Sequence, residues 1–101
     1  MAKVSVMAKI PAAPGKREEL KGALQTLLDS AQGEAGTELY ILSEDPNNAD
    51  VLYMYEQYTD QSALEVHMGS EAFKSAGPGL AAFLGGRPEL TFLSVVGGKG
   101  A

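Results

Sequence analysis

The sequence predicts an α+β domain in which helices cover one face of a four-stranded antiparallel sheet. Three observations predict it. Apolar residues alternate with other residues near the N-terminus, apolar residues recur at helical spacing over residues 16–32, and two strand-like stretches flank a short turn. A second helical stretch and a last strand follow, so the predicted order of elements is β-α-β-β-α-β.

The first strand is predicted from apolar residues at every second position: Val4, Val6, Ala8 and Ile10. A turn over residues 11–15 leads to the first helix, residues 16–32, whose leucines and alanines lie three and four positions apart. Gly33 and Gly36 follow the last of these residues, and glycine is typical of the end of a helix.

Residues 37–43 and 51–58 are predicted to form an antiparallel hairpin, because only a turn-rich connection separates them. Thr59 and Asp60 then provide capping side chains for a second helix over residues 61–68.

Shorter elements of secondary structure are predicted in the C-terminal third of the sequence. Ser70 can cap a further turn that runs to Lys74, residues 78–84 form another short helix, and residues 89–96 form the last strand. The order is the ferredoxin-like one. We predict a single domain over residues 1–101, with a core over about 3–96 and a flexible tail at 97–101.

Both faces of the predicted sheet are apolar, which indicates a second cover. The third strand has Leu52 and Met54 on one side and Val51, Tyr53 and Tyr55 on the other. Helices of the same chain can cover only one of these faces. We therefore expect a homodimer in which a second subunit covers the other face.

Composition excludes several classes of function. The net charge of −5 disfavours nucleic acid and anionic membranes as partners, since phosphates would be repelled. The sequence has no cysteine and one histidine, which argues against thiolate sites and multi-histidine metal sites. No phosphate-binding loop is found, because Gly85-Gly86 lacks the required spacing. We expect neither metal nor cofactor, and we expect a cytoplasmic location because no signal peptide is recognised.

The candidate catalytic residues are His67 and Glu56, and Tyr58 is a candidate for binding a substrate. Glu56 and Tyr58 point to the same face of their strand, and His67 lies on the following helix. Imidazole is a common general base near neutral pH. Each residue also has a structural interpretation: Glu56 as a solvated edge carboxylate, Tyr58 and His67 as core residues with satisfied polar atoms. Phe73 and Phe83 either pack in the core or line the pocket.

Five stretches of the sequence, in this order and spacing, resemble the antibiotic biosynthesis monooxygenase (ABM) domain. They are PGKREEL at residues 14–20, EAG at 34–36, the tyrosine at 40, YEQY at 55–58, and ALEVHMGS at 63–70. The resemblance covers residues 3 to 96. It implies a dimeric α+β barrel and places Glu56, Tyr58 and His67 in or beside a pocket between sheet and helices.

The resemblance also implies an activity. Members of the family include monooxygenases that need no cofactor and oxidise phenolic or quinol-like substrates with dioxygen. Tyr58 stands where many relatives have tryptophan, which keeps an aromatic wall. Haem-degrading relatives share the fold, but the position of their iron ligand corresponds to Gly77, and His67 replaces a tryptophan. Both departures argue against haem chemistry.

The sequence therefore predicts a monooxygenase that uses no cofactor and oxidises a small aromatic or quinol-like molecule with dioxygen, with His67 as the base, assisted by Glu56. Two other functions remain open at this point: a dimeric protein that binds a small ligand without catalysis, and a small-molecule isomerase that uses the same base.

Overall fold

The computed structural model describes residues 2–101 and forms four strands and three helices over that range. In chain order the elements are β1 (Val4–Pro11), α1 (Arg17–Gln32), β2 (Thr37–Glu44), β3 (Val51–Tyr58), α2 (Gln61–Met68), α3 (Glu71–Ala81) and β4 (Glu89–Ser94). None of the helices in residues 2–101 combines the length and the apolar character needed to cross a membrane.

The strands form one antiparallel sheet in the order β2-β3-β1-β4. This is the ferredoxin-like α+β fold that the sequence predicts. The sheet is open at both edges, so one chain does not form a closed barrel. The register aligns four residues in one row across the helix-covered face: Tyr40, Glu56, Val6 and Phe92.

Helix α1 packs its apolar face on the middle of the sheet. Leu20, Leu24 and Leu27 recur at helical spacing and are buried against Leu52 and Met54 of β3. Side chains three or four positions apart lie on one face of a helix, so this periodicity fixes which side of α1 covers the sheet.

Helix α3 corrects the prediction of two short helical pieces between residues 70 and 84. It is one helix that continues through Pro78. Proline normally interrupts a helix because it lacks an N–H donor. Here Ala72, Ala76 and Leu80, four positions apart, pack against the core and keep the segment helical.

The outer face of the sheet, away from the helices, is largely apolar as expected. Ile41, Tyr55 and Met7 form a row across it, and Ile41 is 49% exposed. Val51, expected on this exposed face, is instead buried. The turn before it folds back, with Val51 N donating to Asn48 O at 3.3 Å.

Gly36 allows the close approach between the start of β2 and helix α2. A Cβ atom at this position would lie 2.5 Å from the Cβ of Ala63, closer than two carbon atoms pack. We expect Gly36→Ala to lower the free energy of unfolding by about 1–3 kcal/mol through overpacking.

The matched control is Gly22→Ala on the exposed side of α1, where nothing lies within 4 Å of the added methyl group. This change should raise stability by up to about 1 kcal/mol, the difference in helix propensity. Urea unfolding of both variants tests the pair. Equal stability of Gly36→Ala and the parent would contradict the tight contact.

Candidate active site

A cavity of about 190 Å³ lies between the helices and the inner face of the sheet. Its walls are formed mainly by leucines, other aliphatic residues and aromatic rings from β1, α1, α3 and β4. Three polar side chains line it, namely Tyr40, Glu56 and His67. Tyr40 and Glu56 are cross-strand partners, so the polar groups lie together at one end of an otherwise apolar cavity.

The ends of helix α2 hold His67 in place. Asp60 caps the N-terminus by accepting a hydrogen bond from Ala63 N at 2.9 Å. At the other end, the Ser70 hydroxyl donates to the carbonyl of His67 at 2.8 Å and accepts from Phe73 N at 3.2 Å. Ser70 therefore joins α2 to α3 at the residue that carries the imidazole.

The imidazole of His67 is paired with a carboxylate that is far away in the sequence. His67 is only 2% exposed, and its Nδ1 lies 2.8 Å from Oε1 of Glu34. Glu34 is itself held, because the hydroxyl of Thr37 donates to the same Oε1 at 2.7 Å. The pairing brings the loop after α1 against helix α2.

This pairing determines which nitrogen of His67 faces the cavity. A carboxylate only accepts, so Nδ1 carries the proton and Nε2 of the neutral ring has a free lone pair. Among the described residues no hydrogen bond uses Nε2 of His67. Every fully buried side-chain nitrogen or oxygen in this part of the chain has a hydrogen-bond partner, so the unpartnered Nε2 is not fully buried. It is accessible from the cavity that His67 lines.

Aromatic rings surround the imidazole. The ring centroids of Tyr40, Tyr58 and Phe73 lie 5.0, 5.4 and 5.4 Å from that of His67. These contacts restrict rotation of the ring and exclude water from its sides. The combination of a fixed tautomer and a fixed ring plane is what a general base requires.

Glu56 is held by the tyrosine two residues further along the same strand. The Tyr58 hydroxyl donates to Oε1 of Glu56 at 2.5 Å, and Tyr58 is completely buried. Burial raises the pKa of the Glu56 carboxyl, and the hydrogen bond from Tyr58 and the nearby His67 oppose this rise. Burial, followed by the Glu56 hydrogen bond, also raises the pKa of the Tyr58 hydroxyl, which therefore stays protonated as a donor.

The raised pKa of Glu56 predicts a dependence of stability on pH. A carboxyl whose pKa is higher in the folded state than in the unfolded state favours folding below the unfolded pKa, ordinarily about 4.3. This contribution is lost as the pH rises through the folded pKa. Glu56→Gln, which keeps an acceptor for Tyr58, should therefore become more stable relative to the parent as the pH rises from 4 to 8.

Denaturant unfolding at several pH values measures the difference. Tyr58→Phe supplies a second comparison. The hydrogen bond from Tyr58 lowers the pKa of Glu56, so its removal should raise that pKa further. In that variant the stability should continue to fall up to a higher pH than in the parent. A difference between Glu56→Gln and the parent that does not vary with pH would count against the raised pKa.

The structure brings His67, Glu56 and Phe73 together on the wall of one cavity. Tyr58 lies behind Glu56 and is not among the residues that line the cavity. Phe83 is also outside the lining; it packs on the core, and its carbonyl accepts from Ala13 N at 2.8 Å.

Two polar residues of the site, Glu34 and Tyr40, were not among the predicted site residues. Both lie in stretches that carry the family resemblance, which was the available signal. Their position in the site depends on contacts across the fold, since Glu34 and His67 are 33 residues apart and Tyr40 faces Glu56 only through the hairpin register.

The charge of the cavity lining limits what can bind. No lysine or arginine is found among the lining residues, which are all drawn from residues 2–101. Burial raises the pKa of Tyr40, so its hydroxyl stays neutral at physiological pH. The same range contains no group of three or more His, Cys, Asp or Glu side chains placed to hold a metal ion.

The sequence profile of the antibiotic biosynthesis monooxygenase family matches residues 3–78. The match extends over three quarters of the chain and includes Glu34, Tyr40, Glu56 and His67. The chain therefore belongs to this family.

Solved structures with the same fold support this assignment. A candidate antibiotic biosynthesis monooxygenase from Caulobacter crescentus CB15 is 26% identical, with a TM-score of 0.90 over 95% of this chain and 92% of that one. PA3566 from Pseudomonas aeruginosa is 32% identical, with a TM-score of 0.87 over 96% and 97% of the two chains. A conserved protein from Methanosarcina mazei Go1 is 27% identical, with a TM-score of 0.85 and 92% of each chain covered. A comparison with curated protein sequences finds no significant match.

Proposed function

We propose that this protein is a monooxygenase that uses no cofactor and oxidises a small phenolic or quinol-like molecule with dioxygen. The observation that carries the proposal is Nε2 of His67, which is open to an apolar cavity while Glu34 holds Nδ1. A buried base of this kind can take a proton from a bound aromatic molecule whose conjugate anion is stabilised by the ring.

The reaction needs only the substrate, dioxygen and proton transfer. Nε2 takes a proton from the phenol, and the electron-rich anion transfers one electron to dioxygen. The two radicals combine at a ring carbon ortho to the phenol oxygen, which bears one hydrogen, and the peroxide takes up the proton held by His67. Loss of water from this H–C–O–O–H group, with the hydrogen of that carbon, leaves a carbonyl. One oxygen atom enters the product and the other leaves as water.

The other residues of the cavity bind and orient the substrate in this proposal. Glu56 and Tyr40 supply hydrogen bonds to the substrate oxygens at the polar end, and Phe73 packs on the ring. Tyr58 acts through Glu56 and is a positioning residue. The apolar walls exclude water from the anion, which favours electron transfer to dioxygen over reprotonation by solvent.

The lining argues against an isomerase of phosphorylated sugars. A phosphate group is ordinarily bound by arginine, lysine or a helix N-terminus, and the cavity lining has neither cation. An apolar wall also provides few partners for the hydroxyl groups of a sugar.

Oxygen uptake tests the proposal. The purified protein is mixed with a panel of hydroquinones, naphthols and anthrones, and the rate is compared with the rate of autoxidation without protein. Acceleration that is saturable in substrate and persists after treatment with a chelator supports the proposal. Saturable binding of the panel without any acceleration would replace it with ligand binding alone.

We further propose that two chains pair through the outer face of the sheet. Ile41, Met7 and Leu93 are exposed there, and Tyr53 and Tyr55 lie between them half-buried. Such a face is unusually apolar for a surface in water. A sheet that is open at both edges can form a barrel only with a second sheet.

Ile41→Glu should disrupt this dimer. The new charge would be buried without a partner in the interface, so the variant should run as a monomer or aggregate at micromolar concentration. Light scattering after size-exclusion chromatography measures the mass. Val66→Glu, at an exposed apolar residue on helix α2 on the opposite side of the sheet, is the matched control and should remain dimeric. A parent protein that is monomeric at the same concentration would refute the pairing.

A further inference from the structure

The cavity opens through a mouth formed by four exposed apolar side chains. They come from both sides, two from the helices and two from β4: Met68, Phe73, Leu90 and Phe92. Phe92 is the most exposed of the four, at 53%, although it also lines the cavity. The apolar wall thus continues from the interior onto the surface without a polar rim between them.

The sheet register orients the cavity. Glu56, Val6 and Phe92 are successive partners across three adjacent strands. Neighbouring strands lie about 4.8 Å apart, so Phe92 at the mouth is about 10 Å from Glu56 at the polar end. His67 and Tyr40 lie at that same polar end, because Tyr40 is the next partner in the row and its ring contacts the imidazole.

The volume limits the part of a ligand that can be enclosed. An apolar cavity of about 150 Å³ is known to hold benzene, and this one measures about 190 Å³. One substituted aromatic ring fits, whereas three fused rings do not. Anything attached to the ring on the side away from His67 must leave through the mouth along β4, across Leu90 and Phe92, because the ring of Phe73 lies beside the imidazole.

We infer that the ligand of this site is an uncharged one-ring phenol or hydroquinone that carries an apolar chain, with its hydroxyl group at His67 and its chain in the mouth. The inference rests on the proposed function for the role of the hydroxyl group. The chain would cover the exposed side chains of β4 at the mouth, Leu90 and Phe92. A neutral head group matches a lining that contains Glu56 and no lysine or arginine.

A series of alkylhydroquinones tests this inference by binding under anaerobic conditions, where no oxidation can occur. Titration calorimetry compares hydroquinone with its ethyl, butyl and hexyl derivatives. Each methylene that moves from water onto the apolar mouth should tighten binding about fourfold. Octyl phosphate and 4-butylbenzoate, with charged head groups, should bind at least tenfold more weakly than butylhydroquinone, and an anthrone should not fit.

Two variants show where the chain lies. Phe92→Ser should reduce the gain in affinity per methylene to less than twofold, since it removes the most exposed apolar side chain of the mouth. Val66→Ser, an exposed apolar residue outside the cavity lining, is the matched control and should keep the full gain. An affinity that does not change with chain length, or a gain that survives in Phe92→Ser, would overturn the inference, as would tighter binding of the anthrone.

The binding experiment tests the ligand class and the oxygen-uptake experiment tests the activity, so a negative result in one does not decide the other. A steep dependence on chain length without oxygen uptake leaves the ligand class in place and removes the oxygenase activity. Oxygen uptake with substrates whose affinity does not depend on chain length would support the oxygenase activity and remove the inferred apolar chain.

Discussion

His67→Gln is expected to lower the rate of oxygen uptake by about 10²–10⁴-fold, the usual contribution of a general base. Glutamine has nearly the length of histidine, and its amide can still bond Glu34, but it cannot take up a proton. The imidazole lines the cavity with Nε2 unpartnered, so the loss falls on proton transfer. Substrate affinity, measured anaerobically, should change far less than the rate.

The same substitution must be examined for an effect on folding, because His67 is buried among three rings. A residue with a purely structural role would lose about 1–3 kcal/mol of stability on substitution. Urea unfolding of His67→Gln measures this loss independently of the rate. Glu65→Gln, two residues earlier on the exposed side of α2, is the control and should keep both rate and stability. A His67→Gln protein that is fully active but clearly destabilised would remove His67 from the proposed chemistry.

The fold could be predicted from the sequence because its periodicity is strong and local. The leucines of α1 recur three and four positions apart, and β3 was predicted with the bounds that the structure has. The C-terminal third was predicted less well. Pro78 and its neighbouring glycines indicate an interruption, and only packing of Ala76 and Leu80 on the core makes the helix continuous.

The site could be predicted only in part, for a physical reason. Residues two positions apart on a strand point to the same face, so the proximity of Glu56 and Tyr58 follows from local geometry. Local geometry does not predict the direction of the hydrogen bond between them, or that Tyr58 does not line the cavity. The partner of His67 is 33 residues away, and no spacing rule connects a loop after one helix with the inner side of another.

Glu34→Gln should lower the rate of oxygen uptake by about 10–100-fold, the usual cost of removing the group that orients a functional histidine. The carboxylate does two things for His67. It keeps the proton on Nδ1, so that Nε2 can accept one from the substrate, and its charge stabilises the imidazolium that then forms. An amide bonds the ring through its oxygen but carries no charge, and rotation of the amide permits the wrong tautomer.

A double-mutant cycle distinguishes this role from a merely structural one. If Glu34 acts only through the imidazole, its substitution costs nothing further once His67 is glutamine, so the double variant should be as slow as His67→Gln alone. The loss in Glu34→Gln should also appear in kcat with little change in KM, because Glu34 does not line the cavity. Thr37→Val, which removes the hydroxyl that fixes Oε1 of Glu34 at 2.7 Å, should show a smaller loss of the same kind. Additive losses in the double variant would mean that Glu34 supports the fold of the loop and does not act through His67.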